Sequence, residues 1–221
     1  MHSHNTTKEH HMSKYIERRR EVCRYPFTDR YGVLQFEKIR FKILNPKPDG
    51  RTKTFRYFDP AGVLPIDQGR KPLQADSLIY NLPAVLDAIG AGQVVHWTEG
   101  EADADALIER GYTATSHHQG AGHVTSDQAA WLSGAERVVL WADKDIPGAY
   151  DGWRRWQLLL AAGVPEEGIV IVAALAGKDA RDHLAAGHTV ANAVPVSKAT
   201  ITALAAEYTA ATARKAGYRA V

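Results

Sequence analysis

The sequence predicts an α/β fold: a mostly parallel sheet with helices on both faces, preceded by a small basic β-rich subdomain. Three observations carry this prediction. From Gln93 onward, short apolar runs alternate with helical patterns, as repeated βαβ units require. Residues 137–142 (RVVLWA) form a nearly continuous apolar run, the composition of a strand buried on both faces. Residues 34–43 (LQFEKIRFKI) mostly alternate apolar with polar side chains, the period of a half-buried strand.

Taken in order, residues 1–12 have no hydrophobic period and read as a disordered leader. Residues 13–90 form the basic subdomain. In it, the strand at 34–43 reaches a turn at 45–50 (NPKPDG) and returns over 52–58 as a hairpin, with Lys38, Arg40 and Lys42 on one face. Residues 59–76, rich in Pro, Gly and Asp, read as a linker, and 82–90 as a short helix ended by Gly90. The α/β domain spans 91–190. Its strands are expected at 94–98, 112–116, 137–142 and 169–173, and its helices at 102–110, 126–132 (capped by Ser126), 150–162 and 179–186. Residues 191–221 are expected to hold a C-terminal helix over 197–216, stopped before Gly217.

A chain of 221 residues is long enough to bury a core without staples, and its single cysteine, Cys23, excludes an internal disulfide framework or a CxxC zinc ribbon. No apolar run approaches the roughly 18 residues of a membrane span. A reduced, soluble, cytoplasmic protein with no membrane partner is expected. The net charge of +2 is unevenly spread: residues 13–56 carry thirteen Lys and Arg against five Asp and Glu, and residues 57–221 carry thirteen against nineteen. A basic front on an acidic body suits a polyanion held by one half and metal-assisted chemistry in the other, although a solvated basic face without a partner has the same composition.

Three acidic clusters follow three predicted strands, where α/β sheets keep their chemistry: TEGEAD (98–103), WADKDIPG (141–148) and GKDARD (177–182). Asp143 and Asp145 crowd two carboxylates at one strand tip, an arrangement that a hard cation such as Mg²⁺ relieves by taking carboxylate oxygens, water and phosphate. Glu99, on another strand, can add a ligand or transfer a proton. Each acid taken singly also suits a helix N-cap. The glycine-rich stretch SHHQGAGH (116–123) allows a close backbone approach to phosphate, or is a plain turn. Its histidines lack any HExxH spacing, so zinc is not expected.

The motifs EGEAD (99–103), QGAG (119–122), ADKDIPG (142–148) and GKDARDHL (177–184) together resemble the Toprim domain, the Rossmann-like metal-binding module of primases, topoisomerases and certain nucleases. The resemblance is strongest to primase-like proteins of phages and mobile elements, and it extends over about residues 25–188. It implies Glu99, Asp143 and Asp145 as catalytic metal-site acids, with Asp103 and Asp179 as further ligands and Mg²⁺ or Mn²⁺ as cofactor. By position, Gly120 and Gly122 allow close approach to phosphate or nucleotide and Lys178, at a third strand end, is a phosphate candidate; Lys144, between the two acids, either touches phosphate or points into solvent. Arg40, Lys42, Lys47, Arg51, Lys53 and Arg56 would hold nucleic acid by phosphate contacts. The function implied is RNA primer synthesis on single-stranded DNA from nucleoside triphosphates, with a helicase or other replication protein as a possible partner. Arg181 stands where many primases have a second acid of the last motif. A Toprim nuclease and a non-catalytic nucleic-acid or partner-binding module are the alternatives.

Overall fold

A computed structural model describes residues 16–45, 50–61, 72 and 74–219. The leader at 1–12, the turn residues 46–49 with Lys47, and most of the linker lie outside the described residues. The subdomain has three antiparallel strands rather than a two-stranded hairpin: β1 (Arg19–Thr28), β2 (Leu34–Ile43) and β3 (Lys53–Phe58), in that order across the sheet. The first strand escaped the sequence pattern because it carries Pro26 and many charges. An edge position tolerates both, and its register shifts twice against β2.

The second sheet runs β5-β4-β6-β7-β8, with β4 (Val95–Thr98), β5 (Thr113–Ser116), β6 (Val138–Trp141) and β7 (Ile169–Ala173) parallel. The two-residue β8 (Val194–Pro195) closes one edge antiparallel to β7, a strand too short to leave a periodic signal. The helices are α1 (Leu82–Gly90), α2 (Glu101–Ile108), α3 (Ser126–Ala130), α4 (Ile146–Ala161), α5 (Ala180–Ala185) and α6 (Lys198–Arg219).

Alternation along the strands divides the core in two. Val95, Trp97, Val138, Leu140, Ile169 and Ile171 pack with α1, α3, α4 and α6, whereas Trp141 and Val172 pack with α2 and α5 on the other face. Both faces are covered, so the central strands read as continuous apolar runs. Helix α4 begins four residues before its predicted start. Asp145 caps it by accepting the Gly148 N–H at 2.7 Å, and Pro147 sits in the first turn, where its missing N–H loses nothing. Thr125, not Ser126, caps α3, in a capping box with Gln128.

The three-stranded sheet docks through Tyr25, Phe27 and Phe36, which join the larger core; Tyr25 meets Tyr80 edge-on, and Phe27 also lies against that ring. The Tyr57 hydroxyl lies 2.8 Å from His118 Nδ1. A buried ion pair completes the joint. Lys38 Nζ on β2 contacts both oxygens of Glu101, at the start of α2, at 2.7 and 2.8 Å, and also lies over the Phe55 ring.

Candidate active site

Strand β4 ends at Thr98, and Glu99 and Gly100 turn the chain into α2. Strand β6, its parallel neighbour, ends at Trp141, and Asp143 and Asp145 follow. Strand β7 leads to Gly177, Lys178 and Asp179, which caps α5 through the Asp182 N–H at 2.8 Å. Three strand ends thus bring Glu99, Asp103, Asp143 and Asp179 to a single cleft of about 350 Å³. Its opposite wall is the three-stranded sheet, which contributes Tyr25, Lys38, Arg40, Lys53 and Phe55. Acidic strand ends therefore face a basic sheet.

Glycines let the acidic segments close up. A Cβ at Gly148 would overlap the Cβ of Asp143, and one at Gly177, where φ is +74°, would overlap Asp182. Gly120 lies against Glu99: an added Cβ there would stand 3.6 Å from its Oε1. The Ala121 N–H donates to that same oxygen at 3.3 Å. Gly122 (φ +81°) donates its N–H to Asp151 Oδ1 at 2.9 Å, so of the two glycines only Gly120 lines the cleft.

Lys178 Nζ stands between Asp143 Oδ2 at 3.2 Å and Asp145 Oδ2 at 2.8 Å. Its hydrogen bond to Asp145, together with the charge of Asp143, holds the ammonium above its ordinary range despite partial burial. The remaining acids crowd one another. Burial, then the charges of Asp143 and Asp151, push Glu99 up to about 7. Burial, then Asp179 and Asp143, push Asp103 up to about 8. Burial also raises Asp143, against the pull of Lys178. Asp145 is more exposed; its bonds to Lys178 and to the Gly148 N–H outweigh desolvation and lower it.

These shifts give the stability of the protein in metal-free buffer a defined pH dependence. Glu99 and Asp103 hold protons more tightly folded than unfolded, so their contribution is complete at low pH and is lost as pH rises through about 7 and 8. His96 and His117, pushed down to about 4 by burial, contribute above 6.5, and that contribution is lost as pH falls toward 4. The two effects offset each other between roughly pH 4.5 and 6.5, so the melting temperature is expected to change little there and to fall as pH rises from about 6.5 to 8. A melting temperature that climbs steadily from pH 6 to 9 would contradict the buried placement of these carboxyls.

The other sequence-predicted residues are distributed unevenly. Arg40, Lys42 and Lys53 share the sheet face that fronts the cleft, Arg40 and Lys53 lining it and Lys42 exposed. Arg56 lies on the opposite face, where it donates to Thr54 Oγ1 and the Phe55 carbonyl and pairs with Glu17 at 3.8 Å. Arg51 is exposed before β3. Lys144 Nζ donates to the Leu175 carbonyl at 3.1 Å and does not line the cleft. Asp182, next to the departure at Arg181, accepts the Lys178 N–H at 2.9 Å and so shapes the turn, while Arg181 lines the cleft and donates its N–H to Asp103.

Sequence reasoning passed over Glu101 as the partner of Lys38, and passed over Asp151 and Arg155, which lie behind the acids. The available signal was an acid–base pair four residues apart on a helix that directly follows the DxD motif.

All the clustered acids offer hard carboxylate oxygens, the donor type that Mg²⁺ and Mn²⁺ prefer. Among the described residues no three His, Cys, Asp or Glu gather closely enough to ligate one ion together. The set therefore fits a cation held by one or two carboxylates plus water and phosphate.

No family model matches the chain, and no curated protein matches it. Solved structures do. The E. coli primase catalytic core aligns with a TM-score of 0.56 at 16% identity, over 78% of this chain and 52% of that one. A DNA primase domain from Pseudomonas aeruginosa aligns at 0.57 and 15%, over 78% and 51%. A DnaG primase catalytic domain bound to ssDNA aligns at 0.56 and 16%, over 80% and 54%. The chain spans about half the length of these structures. A mostly parallel sheet flanked by helices and preceded by an antiparallel sheet is thus the fold that this chain has in common with primase catalytic cores.

Proposed function

We propose that this chain is a Toprim-type, metal-dependent enzyme of primase-like nucleotidyl transfer, acting on single-stranded DNA in the replication of a phage or mobile element. The observation that carries the reading is the juxtaposition of Glu99 and Asp143 with a basic β-sheet across one cleft, Asp145 standing beside that cleft and joined to Asp143 through Lys178. The likeness of fold to primase cores, one of them bound to ssDNA, supports it.

Asp143 and Asp145 would hold Mg²⁺ or Mn²⁺, with Asp103 and Asp179 available at the same strand ends. Such an ion, when bound, neutralises the charge of the triphosphate and of the transition state. Lys178, already between the two acids, is placed to turn toward the phosphates of an incoming nucleotide. Glu99, with a proton affinity near neutrality, suits acceptance of the primer hydroxyl proton. Arg40, Lys42 and Lys53 would grip template phosphates. Binding of single-stranded DNA should then weaken with salt, and Arg40→Ala or Lys53→Ala should each reduce the slope of log K against log salt by about 0.7. Fluorescence anisotropy at several salt concentrations measures this; unchanged slopes would move the DNA elsewhere.

The direct test is primer synthesis on single-stranded DNA with labelled nucleoside triphosphates and Mg²⁺ or Mn²⁺, beside an Asp143→Ala/Asp145→Ala control. Product from the unsubstituted protein alone supports the reading. Cleavage of the template instead would make the protein a Toprim nuclease. Neither product nor cleavage would leave a binding module.

A further inference from the structure

Two charged residues of α4 lie completely buried behind the acids. Asp151 and Arg155 are one helical turn apart, and both side chains have no exposure. Charges are retained in such a place only when each is paired and hydrogen-bonded, because the cost of desolvation is otherwise uncompensated. Arg155 meets that condition with three groups at once. Its Nε lies 2.8 Å from Asp151 Oδ2. Its Nη1 donates to the Trp97 carbonyl at 2.6 Å and its Nη2 to the Trp141 carbonyl at 2.8 Å.

Those two carbonyls are the significant partners. Trp97 stands two residues before Glu99 and Trp141 two residues before Asp143, on neighbouring parallel strands whose ladder ends at the Trp97–Leu140 pair. A planar guanidinium bridges the strand ends where their own pairing stops, and its rigid fork sets their separation. Asp151 extends the same hold to the glycine turn: it accepts the Gly122 N–H at 2.9 Å, and the adjacent Ala121 N–H reaches Glu99. His117, fully buried at the end of β5, lies 3.5 Å from the same carboxylate.

The geometry points to Arg155 and Asp151 as positioning residues that set the spacing and aim of Glu99 and Asp143, and through them the affinity of the cation site. This rests on the metal-dependent reading above. Neither residue lines the cleft, so both act through the strand ends.

The test compares Mn²⁺ binding, read from the electron paramagnetic resonance signal of the free ion, in the full chain and in Arg155→Lys, Asp151→Asn and Asp143→Asn/Asp145→Asn, with thermal unfolding of each. Lysine keeps the charge but cannot span both carbonyls. Asparagine keeps the acceptor for Gly122 but removes the charge facing Arg155. Each is expected to weaken Mn²⁺ binding about 10- to 100-fold in a folded protein, the range for groups that orient metal ligands. Affinity for single-stranded DNA should stay within about twofold, since the basic sheet is untouched. Folded Arg155→Lys and Asp151→Asn proteins that bind Mn²⁺ like the unsubstituted chain would overturn the positioning role and leave the metal reading standing. An unsubstituted chain that binds no more tightly than Asp143→Asn/Asp145→Asn would overturn both. Should Arg155→Lys fail to fold, Asp151→Asn decides; should both fail, the pair is structural and the proposal falls.

Discussion

Replacing Asp143 and Asp145 together by asparagine is expected to lower primer synthesis by at least about 10³-fold, since groups that stabilise transition-state charge are each worth about 10² to 10³ in kcat. Asparagine is the informative choice. Asp145 also caps α4 through the Gly148 N–H, and asparagine caps a helix as well as aspartate, whereas alanine would cost about 1 kcal/mol. The double variant should therefore unfold within a few degrees of the unsubstituted chain while losing its chemistry. Incorporation of labelled nucleotide and a thermal melt read the two properties separately. Activity within tenfold of the original would remove this pair from the reaction.

Removing Lys38 is expected to have the largest effect on stability. Its ammonium and the Glu101 carboxylate are nearly inaccessible, with side-chain exposures of 8% and 3%. Burial pushes the Glu101 carboxyl up, and the facing ammonium is what opposes this. Lys38→Met leaves that carboxylate buried without a partner, at a cost of about 3–5 kcal/mol. For a chain of this size that corresponds to roughly 6–20 °C in melting temperature. Lys38→Met/Glu101→Leu should recover most of the loss, because replacing both charges by apolar groups is often neutral. A single-variant cost below about 1 kcal/mol would mean that water reaches the pair. The consequence extends to the cleft, because this joint sets how Arg40 and Lys53 face Glu99 and Asp143.

Much of the architecture was legible because its signals are local. The apolar run at 137–142 and the alternation over 34–43 each depend on neighbours a few residues apart, so strand and helix order followed directly. The strand-end position of Glu99, Asp143 and Asp179 followed from that order, since successive parallel strands must bring their carboxyl ends to one edge. Some boundaries shifted: α4 starts at Ile146 rather than at residue 150, because Pro147 and Gly148 fit its first turn, and Pro26 obscured the edge strand β1.

The sequence by itself determined the alternating α/β body, the basic front and the set of acids brought to one edge. Only the tertiary structure decided which of those charges are committed to one another. Lys38 and Glu101 lie 63 residues apart and meet because two sheets dock; Arg56 faces away from the cleft because strand pairing set its side. Arg155 reaches two carbonyls that no periodicity singles out. Periodicity is a property of a few adjacent residues, whereas the partner of a buried charge depends on how whole elements pack, and desolvation makes that partner obligatory.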